Sequence, residues 1–171
     1  AARELADRLS AKFRVKLDDS DNSTGWKYAQ YEMKGVPIRI EIGPRDIENG
    51  TCVIVSRVSR EKQFVPIEGI LDSVEKALDT VFGELYRRAK DNLEARTTSV
   101  TGWEELLSVA AEKSGFIKAM WCGDPECEDR IKNETGGVKS RCIPFDEEQL
   151  SDVCVCCGKP AKHMVVWGRQ Y

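Results

Sequence analysis

Apolar residues in the first part of the chain follow helical and strand spacings in turn. Leu5, Leu9 and Phe13 recur every four residues, which predicts a helix that runs to about Phe13. The stretch FRVKL then alternates apolar and charged residues, which predicts a strand over residues 13–17. No Ser, Thr, Asp or Asn precedes the helical spacing as an N-cap, so we expect this chain to be a piece of a longer protein.

Two further strands and a long helix are predicted downstream. Ile38, Ile40 and Ile42 lie on one face of a strand, with charged residues on the other face. The stretch TCVIVSRV is typical of a strand that is buried on both faces. After Pro66, apolar residues at helical spacing predict one long helix with the stripe Ile70, Val74, Leu78, Val81, Leu85 and Leu93. Strands that alternate with helices predict an α/β fold, in which helices cover a sheet.

The stretch ARTTSVTG, near residues 95–102, interrupts this alternation, and we expect a domain boundary there, between residues 1–98 and 99–171. In the second part, GWEELLSVAAEKSG predicts a short helix that Gly115 ends, and FIKAMW, SRCIPF and HMVVW predict strands. Short strands, little apolar mass and clustered cysteines predict a small α+β unit that a metal ion helps to hold together.

Composition adds little to this picture. The chain is 41% hydrophobic and 32% charged, as globular proteins are, and no apolar run is long enough to span a bilayer. No signal-peptide pattern is found, so we expect a cytoplasmic protein without membrane contact. The net charge of -3 means that nucleic-acid binding would need a local basic patch. No phosphate-binding loop or nucleophile elbow is present, and we expect the single histidine, His163, to be structural, so no catalytic residue is predicted.

Cysteines carry the clearest candidate chemistry. The chain has seven, an odd number that argues against a disulfide framework. Cys122 and Cys127 have four residues between them, and Cys154 and Cys157 have two. A turn of that length points both sulfur atoms at one ion, and Zn²⁺ takes four such ligands, commonly in structural sites. The sequence therefore predicts one structural zinc bound by two cysteine pairs.

Three alternatives concern the remaining thiols. Cys156 could replace Cys157 as the fourth ligand, since C-x-C spacing also suits a metal, although the usual spacing favours the outer pair. A redox dithiol of Cys154 and Cys157 is a less favoured alternative, because the pair is followed by a predicted strand and not by a helix. Cys52 and Cys142 lie in predicted strands, where a lone cysteine is usually a small buried apolar residue.

Charged and aromatic residues gather on and around the strand that contains Ile38. They are Tyr28, Glu32, Lys34, Arg39, Glu41 and Arg45. Such a run is usually a solvated face. It also suits base recognition, because Arg fits the O6 and N7 acceptors of guanine and Glu accepts from the N–H groups of an unpaired guanine. The residues alone leave both interpretations open.

Several stretches resemble, in the same order, the C-terminal portion of prolyl-tRNA synthetases of the archaeal/eukaryotic-like type: YEMKGVPIRIEIGPRDIENG, WCGDPECED, SRCIPFD, CGKPAKH and WGRQY. The resemblance covers nearly the whole chain. It implies an α/β anticodon-binding domain, with a central mixed sheet flanked by helices, over residues 1–98. A small α+β zinc-binding domain would follow over residues 99–171. It also implies that the first strand of the anticodon-binding domain, and a catalytic core that binds ATP, Mg²⁺ and proline, precede Ala1.

The resemblance further implies two sets of site residues. By position in the motifs, the anticodon is bound by Tyr28, Glu32, Arg39, Arg45 and Lys62. Structural Zn²⁺ is bound by Cys122, Cys127, Cys154 and Cys157, with Cys156 as the open alternative. Tyr171 is expected to turn inward, with its carboxylate near the active site. The implied parent enzyme is a homodimer that attaches proline to tRNA(Pro), and the alternative is a non-catalytic tRNA-binding or regulatory module of the same fold.

Overall fold

The computed structural model describes residues 1–170, and the chain divides into two compact units, Ala1–Arg88 and Ala89–Tyr171. We call them unit 1 and unit 2. The helices are α1 (Ala2–Ser10), α2 (Thr24–Met33), α3 (Pro44–Glu48), α4 (Ile70–Ala95), α5 (Trp103–Glu112) and α6 (Pro125–Glu134). The strands are β1 (Ile38–Glu41), β2 (Thr51–Ser56), β3 (Lys62–Pro66), β4 (Thr97–Ser99), β5 (Phe116–Trp121), β6 (Val138–Cys142) and β7 (His163–Arg169). The expected domain boundary at 98/99 stays a prediction.

The sheet of unit 1 has the strand order β1-β2-β3, and both pairs are antiparallel. Its central strand, β2, is buried on both faces from Cys52 to Val55, as its apolar run predicts. One face packs on the helices in a core cluster of Leu5, Leu9, Cys52, Ile54, Ile70 and Val74, with Ile38, Ile40, Ile42 and Val65 partly buried against it. The α/β class is confirmed, although the described pairs of this sheet are antiparallel and not mixed.

The strand expected at residues 13–17 is wrong. α1 ends at Ser10, and residues 14–17 have no regular structure despite their alternation. A strand needs a neighbouring strand to accept and donate its backbone hydrogen bonds. Among the described strands, β1 pairs only with β2, so residues 13–17 do not pair with β1. A cavity of about 660 Å³ is lined both by this stretch, through Val15 and Leu17, and by β1.

The long helix, α4, begins at Ile70, four residues after the predicted start at Pro66. Pro66 instead ends β3, which the pattern did not predict because the strand is mostly exposed. Ile70, Val74 and Val81 of the predicted stripe are buried, whereas Leu85 and Leu93 are exposed. The apolar stripe of this helix is therefore covered mainly in its first half.

The sheet of unit 2 is mixed, with the order β4-β5-β7-β6 and β4 parallel to β5. The strands predicted from FIKAMW and HMVVW are confirmed as β5 and β7. The stretch around Thr97 was expected to lie at the domain boundary, but it forms β4 at the edge of this sheet. The core includes Leu106 and Ala110 of α5, Ile131 of α6 and Trp167 of β7.

Two cysteines outside the pairs have opposite environments. Cys52 is fully buried in β2, which confirms the expectation of a small apolar core residue. Cys142 lies at the exposed end of β6, so the same expectation for it is wrong. Tyr171, expected to turn inward, lies outside the described residues. Over residues 1–170, no helix has both the length and the apolarity needed to cross a membrane.

Truncation of Ile54 tests the packing of unit 1, because this side chain in the central strand is only 2% exposed. We expect Ile54→Ala to lower the free energy of unfolding by about 2–5 kcal/mol, since it removes buried methyl groups and leaves a cavity. Ile47→Ala is the matched control, because Ile47 is 49% exposed in the same unit. Urea unfolding of both variants gives the comparison, and equal losses would contradict the described core.

Candidate functional site

The helix α2 and the turn after it place two side chains beside β1. Ser23 caps the helix by accepting a hydrogen bond from the backbone N–H of Trp26. After the helix, Gly35 adopts a φ of +80°, a left-handed conformation that favours glycine and lets the chain turn into β1. Tyr28 and Glu32 are four residues apart and therefore lie on one face of α2. That face meets the side chain of Arg39.

The guanidinium group of Arg39 is held on three sides. Its Cζ lies 3.8 Å from the centre of the Tyr28 ring, within the range of a cation–π contact. Its Nη1 donates to Glu32 Oε1 at 2.7 Å, and its Nε donates to Glu41 Oε1 at 2.8 Å. Nη2 has no hydrogen-bond partner among the described residues. The group is thus fixed in position while donor capacity remains for a ligand.

Glu41 joins Arg39 to a fourth side chain. Its Oε2 accepts a hydrogen bond from Lys62 Nζ of β3 at 3.2 Å. Since β2 lies between β1 and β3, this ion pair crosses the sheet where Val53 and Val55 are buried. Glu41 was not among the predicted site residues. The sequence did contain a signal for it, because a residue two positions after Arg39 lies on the same polar face of the strand.

Partial burial and hydrogen bonding set the charges of this cluster. Burial by itself would lower the pKa of Arg39, but hydrogen bonds to Glu41 and Glu32 outweigh it and raise the pKa above its usual value. Burial would likewise raise the pKa of Glu41, but hydrogen bonds from Arg39 and Lys62 lower it instead. Burial, and then the charge of Glu41, raise the pKa of Tyr28. At neutral pH the cluster therefore contains a charged Arg39, a charged Glu41 and a neutral tyrosine hydroxyl.

Four of the five residues predicted for the polar site lie together: Tyr28, Glu32, Arg39 and Lys62. We call these four, with Glu41, the Arg39 cluster. Arg45 is different, because it is exposed on α3 and its side chain makes no hydrogen bond or ion pair with the described residues. The structure does not join it to the cluster.

The two cysteine pairs meet at one point in unit 2. Cys122 directly follows β5, and Gly123 with a φ of +89° turns the chain into α6, whose first turn contains Cys127. Cys154 and Cys157 lie on a tight turn, which the backbone N–H of Gly158 closes on the carbonyl of Cys154 at 3.0 Å. The sulfur atoms of the four cysteines all lie within 4.8 Å of one another. This tetrad can hold a metal ion.

Cys156 is buried but does not belong to the tetrad. Its backbone carbonyl accepts a hydrogen bond from Arg130 Nη1 at 3.4 Å. Arg130 in turn lies 4.3 Å from the centre of the Trp103 ring and pairs with Glu134 at 2.8 Å, so it links α5 and α6 to the cysteine turn. The distances between sulfur atoms favour Cys157 over Cys156 as the fourth member of the tetrad.

The thiols of the tetrad differ in how readily they ionise. Burial raises the pKa values of Cys122 and Cys127. The backbone N–H of Lys159 lowers the pKa of Cys157 to about 7, so this thiol is about half ionised at neutral pH. A metal ion binds thiolates, so binding here must release protons from the buried thiols. His163 lies apart from the tetrad, with Nδ1 3.5 Å from Glu147 Oε1.

Two regions of the chain match known protein families. Residues 1–77 match the family model of an anticodon binding domain, and residues 103–171 match that of the prolyl-tRNA synthetase C-terminal domain. The chain therefore carries the C-terminal domain of the prolyl-tRNA synthetase family, preceded by an anticodon binding domain. It is 51% identical, over 99% of its length, to a proline–tRNA ligase of Clostridium botulinum (strain Okra / Type B1), and 52% identical, also over 99%, to one of Lachnospira eligens. It spans 35% and 36% of the lengths of these two relatives, about a third of each.

Loss of one tetrad thiol should abolish metal binding at this position. We expect Cys127→Ser to lose bound metal and to destabilise unit 2, because a structural metal supplies folding free energy. Cys142→Ser is the matched control, since Cys142 is exposed and outside the tetrad. Elemental analysis and thermal unfolding of both variants measure the effect. Full metal content and an unchanged melting curve in Cys127→Ser would refute the assignment.

Proposed function

We propose that this chain is the anticodon-recognition and zinc-binding region of a proline–tRNA ligase, a class II enzyme that activates proline with ATP and attaches it to tRNA(Pro). The observation that carries the proposal is the Arg39 cluster, which presents fixed donors and acceptors within an anticodon binding domain. The names of the similar ligases support the same reading. Catalysis belongs to a core outside this chain, so the function of this chain is recognition.

The acceptors and donors of the Arg39 cluster are complementary to groups on two adjacent edges of guanine. Guanine presents N–H donors at N1 and N2, followed by acceptors at O6 and N7. Glu32 and Arg39 lie side by side, 2.7 Å apart, as an acceptor next to a donor fork. We propose that the Glu32 carboxylate accepts from the N1 and N2 groups while Arg39 donates to O6 and N7. Adenine has an amino donor in place of O6, which would face the donors of Arg39.

This contact requires an unpaired base, because the N1 and N2 groups of guanine are occupied in a duplex. The anticodon loop of a tRNA supplies such bases, and proteins read RNA loops through these edges. Tyr28 already has one ring face covered by Arg39, so the base contact that we propose for it uses the other face. Lys62, with a side chain that is 55% exposed, and Arg45, which is exposed on α3, are the remaining proposed anticodon-binding residues.

Zinc suits the tetrad of cysteines on distance as well as on chemistry. A tetrahedral site with Zn–S bonds of about 2.3 Å places its sulfur atoms roughly 3.8 Å apart. The Cys122 and Cys127 sulfur atoms lie 3.7 Å apart, as do those of Cys157 and Cys122. Four thiolates leave no open position for a substrate, so we propose a structural role for this ion.

The proposed metal is open to direct measurement. Elemental analysis of the purified chain should find about one equivalent of zinc, because a closed tetrahedral thiolate site favours this ion. Replacement by Co²⁺ should give the absorption of tetrahedral thiolate coordination. Iron at the same stoichiometry, or an octahedral Co²⁺ spectrum, would overturn the assignment.

The wider organisation is part of the same proposal. Residues 1–98 would form the anticodon-binding domain, together with a strand that precedes Ala1, and residues 99–171 the zinc-binding domain. ATP, Mg²⁺ and proline would bind only to the core, through which the enzyme would form a homodimer in the cytoplasm. The matches to residues 1–77 and 103–171 support this order of domains.

Removal of the Arg39 side chain should weaken binding of tRNA(Pro) by about 1–3 kcal/mol, the range of a bidentate contact to guanine. The measurement is a titration at fixed salt with tRNA(Pro) and with a variant whose two anticodon guanines are replaced by adenines. Arg39→Ala should lose most of the discrimination between the two RNAs. Arg3→Ala is the control for charge, because Arg3 is an exposed arginine on α1, which packs on the other face of the sheet.

Two outcomes would count against the proposal. Equal affinity of the unaltered chain for both RNAs would remove the assigned recognition of guanine. Equal binding of Arg39→Ala and the unaltered chain, with both folded, would remove Arg39 as the reader. An effect of Arg3→Ala as large as that of Arg39→Ala would reduce the result to general electrostatic attraction.

A further inference from the structure

Phe64 is an exposed aromatic residue on β3 that the site described above does not use. Its side chain is 72% exposed, and β3 is an edge strand of the unit 1 sheet. Its neighbours along the strand, Gln63 and Lys62, are also exposed. A large aromatic ring held in water at a fixed position on a sheet is the feature by which sheet-based RNA-binding domains stack unpaired bases.

The strand register places Phe64 on the same face as the Arg39 cluster. Residues opposite each other in antiparallel strands point to the same side of the sheet. Two neighbouring rows cross the three strands, Glu41–Val53–Phe64 and Arg39–Val55–Lys62. The other side of the sheet carries Ile40 and Ile54, which pack in the core with α1 and α4. Phe64 is therefore on the side that faces the proposed RNA.

Distance and charge favour a nucleotide as the occupant of this position. Two strand spacings separate β1 from β3, so Phe64 lies about 10 Å across the sheet from Glu41. Lys62 lies two residues before Phe64 on the same face and keeps its side chain 55% exposed, which supplies positive charge for a phosphate group. An aromatic ring beside a basic side chain is the combination that binds the base and the backbone of single-stranded nucleic acid.

We propose that Phe64 stacks on an unpaired base of the RNA loop whose guanines contact Arg39, and so forms a second binding position on this face. The proposal rests on the proposed function, because it requires the loop to lie on this side of the sheet. Every base has a face for stacking, so Phe64 contributes affinity and does not select guanine. Selection of guanine and stacking on Phe64 are therefore separable by experiment.

The test is a titration of the full chain with an RNA stem-loop that carries the proline anticodon. Phe64→Leu should weaken binding about tenfold, because it keeps an apolar side chain but removes the ring. Phe64→Tyr should bind normally, because it restores the ring. Phe82→Leu is the matched control, since Phe82 is 71% exposed on α4, whose buried stripe packs on the other face of the sheet. Thermal unfolding of each variant verifies the fold.

A second readout locates the stacked base. Each loop nucleotide is replaced in turn by 2-aminopurine, whose fluorescence falls when it stacks. We expect one position, outside the guanines, to be quenched by the unaltered chain and not by Phe64→Leu. The preference for guanine over adenine in the anticodon should be the same in Phe64→Leu as in the unaltered chain.

The outcomes separate this inference from the function on which it rests. If the unaltered chain prefers the guanine-containing loop but Phe64→Leu binds as tightly, the inference is wrong and the proposed function stands. If Phe64→Leu loses the guanine preference as well, Phe64 acts on base selection and the stacking role is overturned. If the unaltered chain shows no preference for guanine, the proposed function fails and this inference fails with it.

Discussion

The alternation of side chains along β1 is the constraint on which the Arg39 cluster depends. Ile38, Ile40 and Ile42 pack against the core. Because side chains alternate along a strand, Arg39 and Glu41 then lie on the opposite face. A shift of one residue in the pairing with β2 would bury the two charged side chains and expose three isoleucines. The hydrophobic core of unit 1 therefore determines which face carries the Arg39 cluster.

The Arg39 cluster serves positioning more than stability. Its ion pairs are partly exposed, and pairs of this kind contribute little to the free energy of folding. Their effect is to hold the guanidinium group before a ligand arrives, which reduces the entropy that binding would otherwise cost. Glu41 accepts the hydrogen bond from Nε of Arg39, and Glu32 accepts the one from Nη1, a donor that a base contact would also need.

The sequence predicted the parts of this structure that depend on local pattern. Alternating or continuous apolar residues were clear enough to predict β1, β2, β5 and β7. The cysteine spacing indicated the tetrad. Prediction failed where the outcome depends on distant partners. FRVKL alternates but finds no strand to pair with, while Thr97–Ser99 is short and polar yet pairs with β5. The stacking of Tyr28 on Arg39 depends on the turn at Gly35, which fixes the distance between helix and strand and leaves no periodic signal.

The cysteine tetrad shows how a small unit can be organised from segments that are distant in sequence. Cys122 and Cys154 belong to stretches that are separated by α6 and β6. Backbone hydrogen bonds already join these stretches, from Val155 to Met120 and from Lys162 to Trp121. A metal ion added to this frame constrains side chains whose backbone is largely in place. Its binding free energy adds to the free energy of folding, because the unfolded chain has no preformed site. Because the core of unit 2 surrounds three of the four thiols, metal binding and core packing should be lost together rather than in separate steps.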